Sequence, residues 1–219
     1  MKRLFPILTT LVLTCGLIFS LMTTAAQAGP NPVVIIETSM GRIIVMLYPA
    51  DAPKTVANFL NYVDSGFYDK TIFHRVIRQN KPPKTADEDK TMNIVQGGGF
   101  TFPLRQKRAM PPIANEAATG LINEKGTIAM ARGNAADSAT CEFFFNVEDN
   151  PVLDYYQSAK QTGAGSYSGS TSVGYCAFGK VIRGMDVVEK IQQVQTARAG
   201  LMEDVPVNPV FIKKAYRAK

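Results

Sequence analysis

Three fragments far apart in the chain carry the polar groups best suited to a site: Phe73-His74-Arg75-Val76-Ile77, Val95-Gln96-Gly97-Gly98-Gly99-Phe100, and Asp137-Ser138-Ala139-Thr140-Cys141-Glu142-Phe143-Phe144-Phe145-Asn146-Val147. Together they hold one arginine, Arg75, the amide of Gln96 and a run of aromatics. His74 is the only histidine in 219 residues and no Gly-x-Ser-x-Gly turn accompanies it, so triad chemistry has no support. One histidine and no Cys-x-x-Cys pair leave no metal spacing either. A cation with an apolar wall and no nucleophile suits a reaction in which no stable covalent bond is made or broken.

The elements around these fragments read as strands with two helices. Residues 33–37 and 42–48 are β-branched, apolar runs separated by Thr38-Ser39-Met40-Gly41, which predicts a hairpin. Between residues 53 and 65, Val56, Phe59, Leu60 and Val63 fall at i, i+3, i+4 and i+7, with Pro53 in the first turn and Gly66 beyond the end, which predicts an amphipathic helix. Residues 185–194 repeat the pattern with Val187, Val188, Ile191 and Val194, after a strand-like run at 175–182. Shorter strands are expected at 126–131 and 142–147. Many short strands with two helices indicate an all-β barrel or sandwich. Period-2 alternation sets Phe144 opposite to Phe143 and Phe145 without saying which side is core. Residues 78–91 are charged and Pro-containing, residues 156–171 are rich in Gly, Ser and Tyr, and both read as surface loops.

At the N-terminus Lys2 and Arg3 precede an apolar run to Met22, and Ala26-Gln27-Ala28 stand before Gly29-Pro30. This is the layout of a secretory signal peptide, residues 1–28, cleaved after Ala28. An uncleaved anchor is the competing reading, since the run is nearly long enough to span a bilayer. Thr14 before Cys15 does not fit a lipoprotein signal. Residues 29–219 then form one domain with a sizeable core. Cleavage takes two units from the formal charge of +6. The modest remainder, with Lys213, Lys214, Arg217 and Lys219 gathered at the C-terminus, reads as a solvated tail, so no nucleic-acid partner is expected.

The order and wording of the three fragments, continued by Gly174-Tyr175-Cys176-Ala177-Phe178-Gly179-Lys180-Val181 and Gly184-Met185-Asp186-Val187-Val188, resemble the cyclophilin-type peptidyl-prolyl cis-trans isomerases, and the bacterial exported (periplasmic) members in particular. The likeness runs from about Val33 to the C-terminus. It implies a closed eight-stranded antiparallel barrel with a helix at each end, and rotation about X-Pro bonds without a cofactor. It implies further that Arg75 is the catalytic donor, that Gln96 positions it and contacts the substrate backbone, and that Phe144 walls the proline pocket with Ile94, Leu153 and Tyr175. Ala131 and the backbone of Arg132 match the edge that pairs with bound peptide, and His74 is structural.

Several positions depart from the commonest family pattern. Asn93 and Ile94 stand where phenylalanine and methionine are usual, Glu142 replaces a glutamine, Val152 sits where many eukaryotic members have tryptophan, and Tyr175 where they have histidine, a tyrosine there being normal for bacterial exported members. The chain has no tryptophan, so weak cyclosporin binding is expected. Glu142 is expected either to pair with Arg75, at a mild cost to rate that Glu142→Gln relieves, or to be a solvated strand-end side chain. Cys141 and Cys176 lie in apolar runs, and the family's strand order keeps them apart, so both are expected as buried free thiols. The partners implied are proline-containing segments of unfolded or exported proteins, with a periplasmic or secreted monomer that keeps no stable membrane anchor after cleavage. A low-activity peptide-binding chaperone of the same fold remains an alternative. A small-molecule barrel binder is disfavoured by the lack of a uniformly apolar interior pattern.

Overall fold

β1 (Val33–Thr38) and β2 (Gly41–Leu47) form the expected hairpin, paired from Val33↔Met46 to Thr38↔Gly41. Alternation buries Val34, Ile36, Ile43, Val45 and Leu47, while the Thr38 hydroxyl ties the turn by donating to the Gly41 carbonyl at 2.7 Å. A Cβ at Gly41 would lie 2.6 Å from Val187 Cγ2, so glycine lets the second helix sit directly on this turn. The computed structural model describes residues 30–78, 92–119, 121–161 and 167–218. The expected signal peptide and nearly all of the 78–91 insertion lie outside the described residues.

Helix α1 (Pro53–Asp64) buries Val56, Phe59, Leu60 and Val63, the stripe read from the sequence, together with Thr55, Asn58 and Tyr62. Its start has no side-chain cap of its own. The Glu116 carboxylate instead accepts the amides of Lys54 and Thr55 at 3.1 and 2.8 Å and the Thr55 hydroxyl at 2.8 Å, putting a negative charge on the helix N-terminus.

The remaining strands are β3 (Thr71–Ile77), β4 (Ile94–Thr101), β5 (Arg105–Gln106), β6 (Thr127–Met130), β7 (Phe143–Asn146), β8 (Tyr155–Gln161), β9 (Tyr167–Val173), β10 (Ala177–Arg183), β11 (Thr196–Ala199), β12 (Met202–Pro206) and β13 (Val210–Arg217), with helix α2 (Met185–Gln192) after β10. Eight of the thirteen strands, β1 and β2 included, run β3-β13-β1-β2-β10-β6-β7-β4, and β4 pairs back onto β3. The result is a closed antiparallel barrel capped by two helices. Its interior is filled by Phe73, Phe143, Phe145, Phe178, Ile36 and Ile128, packed with Phe59 of α1 and Val188 of α2. The packed interior leaves the outer face of the wall for ligands.

Residues 156–171 depart from the loop expectation. β8 and β9 pair from Tyr155↔Val173 to Gln161↔Tyr167 in a two-stranded ribbon outside the barrel. Ser, Thr and Tyr on successive positions fit extended backbone but offer no apolar alternation, so a hydrophobic period is blind to such strands.

Candidate functional site

The register of four neighbouring strands sets one row across the barrel wall. Arg75 of β3 pairs with Gln96 of β4, Gln96 with Phe144 of β7, and Phe144 with Ala129 of β6. A bulge in β3 between Phe73 and Arg75 sets His74 out of the simple alternation. The row brings together, from three separate fragments, the arginine, the amide and the aromatic.

The triple-phenylalanine run is resolved by burial. Phe143 and Phe145 belong to the barrel interior, whereas Phe144 lies on the other face in a second apolar cluster with Ile77, Ile94, Ala129, Leu153 and Ala177. Ala131, Val152 and Tyr175 pack against that cluster. Ile94, Leu153 and Tyr175 therefore share one cluster with Phe144, and Ala131, which the resemblance gives as part of the peptide-pairing edge, packs against it. Tyr175 stands edge-on to the Phe144 ring with centroids 5.7 Å apart. Above Tyr175 lies the Arg132 guanidinium, 4.4 Å from the ring centroid, its Nε donating to the Gly174 carbonyl at 2.8 Å.

Ile77, Ala129 and Ala177 were missed as wall residues. Ile77 lies two residues from Arg75 and opposite Ile94, a signal that period 2 carries once the face is known. No local signal marks the two alanines. A buried amide set was also illegible: Asn123 Nδ2 lies 3.1 Å from both the Leu153 and Tyr175 carbonyls, and Asn146 donates to Asn123 Oδ1 at 3.2 Å. It ties two loop-borne walls of the apolar cluster to β7.

Glu142 corrects an expectation. Its Oε2 accepts from Gln96 Nε2 at 2.8 Å and from His74 Nε2 at 3.2 Å. Among the described residues Arg75 has no hydrogen-bond or ion-pair partner, so neither the Arg75 pair nor a freely solvated carboxylate describes this residue. The reason is steric and topological: a Cβ at Gly99 would fall 2.4 Å from Glu142 Oε1, so the bare glycine lets the carboxylate lie over β4 against Gln96. Burial acts to raise the Glu142 carboxyl, but the His74 hydrogen bond, the attraction of His74 when protonated, and the Gln96 hydrogen bond outweigh it. The carboxyl is held below the ordinary glutamate value and is ionised at neutral pH.

His74 is buried against Phe100, with ring centroids 4.6 Å apart. A carboxylate only accepts, so its Nε2 carries the proton given to Glu142, and among the described residues Nδ1 finds no partner. This histidine props the carboxylate, in keeping with a structural role. Cys141 and Cys176 are buried free thiols. Burial first, then the Glu142 charge, raises the Cys141 thiol, and burial pushes Cys176 up to about 11 despite the Thr55 hydroxyl, so both are poor nucleophiles. Among the described residues no group of three or more His, Cys, Asp or Glu is placed to hold a metal ion.

Comparison with known proteins bears on the same residues. The family model described as "Cyclophilin type peptidyl-prolyl cis-trans isomerase/CLD" matches residues 33–217. The peptidyl-prolyl cis-trans isomerase A of Dickeya dadantii is 43% identical over 191 residues, covering 87% of this chain and 87% of that protein. The peptidyl-prolyl cis-trans isomerase B of Escherichia coli is 42% identical over 180 residues, covering 82% and 96%. Among solved structures, a cyclophilin-type isomerase of Cryptosporidium parvum superposes with a TM-score of 0.61 at 22% identity, over 86% of this chain and 98% of that one, a likeness of fold.

Proposed function

Because the chain belongs to the cyclophilin-type peptidyl-prolyl cis-trans isomerases, we propose that it turns X-Pro bonds of exported proteins by a non-covalent mechanism in which Arg75 stabilises the twisted amide. The isomerase activity itself follows from the family and the relatives. The observation that carries the mechanism is an Arg75 side chain without a partner among the described residues, in register with Gln96 and Phe144 beside an apolar cluster.

An X-Pro bond resists rotation with a barrier near ~20 kcal/mol, set by amide resonance. A rate factor on the order of 10⁵ requires a reduction of roughly 7 kcal/mol. Twisting localises a lone pair on the prolyl nitrogen. A donor aimed there binds the transition state better than either ground state, which is the only kind of binding that raises the rate. Arg75 is suited because a guanidinium is always charged and, among the described residues, its donors are unspent. One charge-assisted bond, about 1.5–3 kcal/mol, is not enough alone. Burial of a rigid proline ring against Phe144, Ile94, Leu153 and Tyr175 at low entropic cost supplies the purchase against which the chain is twisted. The Ala131–Arg132 edge pairs with substrate main chain, which makes recognition tolerant of sequence. A protease-coupled isomerisation assay on a short X-Pro peptide, with Arg75→Ala beside the wild type, tests the mechanism.

The proposed location is the periplasm, supported by the charged start, the apolar run and Ala26-Gln27-Ala28. N-terminal sequencing of the protein from expressing cells should begin at Gly29, and an intact N-terminus would overturn export by cleavage. The proposed clients are unfolded, proline-containing segments met there, and the proposed state is a monomer without an anchor. Cyclosporin should bind weakly. Val152 lies at the edge of the apolar cluster, so Val152→Trp adds a flat ring there and should tighten inhibition by about tenfold or more. Nanomolar inhibition of the unmodified protein would count against placing Val152 at the drug-contacting rim.

A further inference from the structure

Leu153 and Tyr175 reach Phe144 from loops, yet buried asparagines refer both of them to the strand that carries Phe144. Asn146 follows Phe144 by two residues on β7 and pairs with Ile94, so period 2 puts its side chain on the same outer face. Its Nδ2 donates to Asn123 Oδ1 at 3.2 Å and to the Thr127 hydroxyl at 2.8 Å, while its Oδ1 accepts from Asn150 Nδ2 at 2.7 Å. Asn123 Nδ2 in turn faces three acceptors, the Leu153 and Tyr175 carbonyls at 3.1 Å each and Asp154 Oδ1 at 2.9 Å. The Tyr175 amide donates to the Leu153 carbonyl at 2.8 Å, which joins these two walls to each other. Asn150 Oδ1 accepts the Asn93 amide at 2.8 Å, anchoring the chain just before Ile94. Asn123, Asn146 and Asn150 are 2%, 0% and 1% exposed, so water does not compete for these bonds and each is strong.

We propose that Asn123 determines the ring size the pocket accepts: through Asn146 it fixes how far the Leu153 and Tyr175 walls stand from Phe144, which suits the pocket to proline over larger cyclic imino acids. The inference rests on the isomerase reading of the row. Leu153 and Tyr175 are bonded to each other and move as one piece, and Asn123 ties that piece to β7. An asparagine is fit for this because one planar group carries two donor hydrogens and an acceptor, enough to hold two carbonyls and be held by Asn146. Loop segments without such a tie are the mobile part of a fold. A pocket rejects one extra methylene only if its walls cannot give way, and rigid walls make that rejection worth about 10- to 200-fold. Asn123 touches no substrate in this arrangement; it is a positioning residue that acts through the wall.

The test pairs a short X-Pro peptide with its pipecolyl counterpart, whose six-membered ring adds one methylene, and follows isomerisation of both by NMR exchange. The wild type should favour the prolyl peptide in kcat/KM by about tenfold or more. Asn123→Ala should bring that ratio to about threefold or less, raising KM for the prolyl peptide several-fold while nearly keeping kcat, because the wall loosens and Arg75 is left in place. A role in stability alone would slow both peptides by the folded fraction and leave the ratio where it was. Asn146→Ser cuts the tie at its β7 end, should lower the ratio in the same way, and serves if Asn123→Ala folds poorly. No prolyl preference in the wild type, or a ratio unmoved in a folded variant, would overturn the inference. Titration with the two peptides reads the same ratio from Kd without turnover. A wild type that binds with the prolyl preference, loses it in Asn123→Ala and turns over neither peptide would support the inference while sinking the isomerase reading.

Discussion

Arg75→Ala should lower kcat/KM on a short X-Pro peptide by roughly 10²-fold, in the range seen when one preorganised transition-state donor is removed. The loss should fall mainly on kcat, because the prolyl nitrogen is an acceptor only when the amide is twisted and the ground state gains little from the guanidinium. Arg75→Lys should recover little, since an ammonium lacks the planar fork that can touch the nitrogen and a neighbouring acceptor together. Thermal stability should barely move, because Arg75 is only half-buried and has no partner among the described residues. That separation makes the result interpretable: a large kinetic loss without a stability loss places the residue in the chemistry. If wild type and Arg75→Ala are equally slow, the peptide-holder reading replaces the catalytic one.

Phe144→Ala should be costly in both stability and binding. The ring is 2% exposed and packs among Ile77, Ile94, Ala129, Leu153 and Ala177. Truncating a buried phenylalanine costs about 3–5 kcal/mol, a large share of the ~5–15 kcal/mol that holds a domain folded. The remaining folded protein should also bind proline peptides poorly, because the wall against which the ring seats is gone. Phe144→Leu distinguishes the two effects by retaining much of the volume. It should keep a clear cooperative melt while raising KM several-fold, about the value of an aromatic contact. A fully active Phe144→Leu enzyme would remove this ring from the proline site. The adjacent Phe143 and Phe145 are interior residues, and their truncation should act on stability alone.

Local elements were legible because their causes are local. The hairpin at residues 33–48, the stripe Val56, Phe59, Leu60, Val63 and the shorter stripe on α2 each follow from a period and a turn within a dozen residues. The ribbon of β8 and β9 was missed for the converse reason. Its strands have no apolar face for a period to show, and main-chain pairing alone defines them.

By itself the sequence determined the presence of a non-nucleophilic set of site residues, the two amphipathic helices, and a resemblance that pointed to Arg75, Gln96 and Phe144. Tertiary structure decided which face of Phe143-Phe144-Phe145 is core, because a period of two is symmetric until the barrel closes and gives the wall an inside. It decided that the Glu142 charge goes to Gln96 and His74 rather than to Arg75, and that Glu116 caps α1 from sixty-odd residues away. Partners of that kind depend on strand register and on the room a glycine leaves at long range, and neither is encoded in the residues on either side. Charge and hydrogen-bonding capacity belong to each side chain; the partner that receives them is chosen only when β4 closes onto β3.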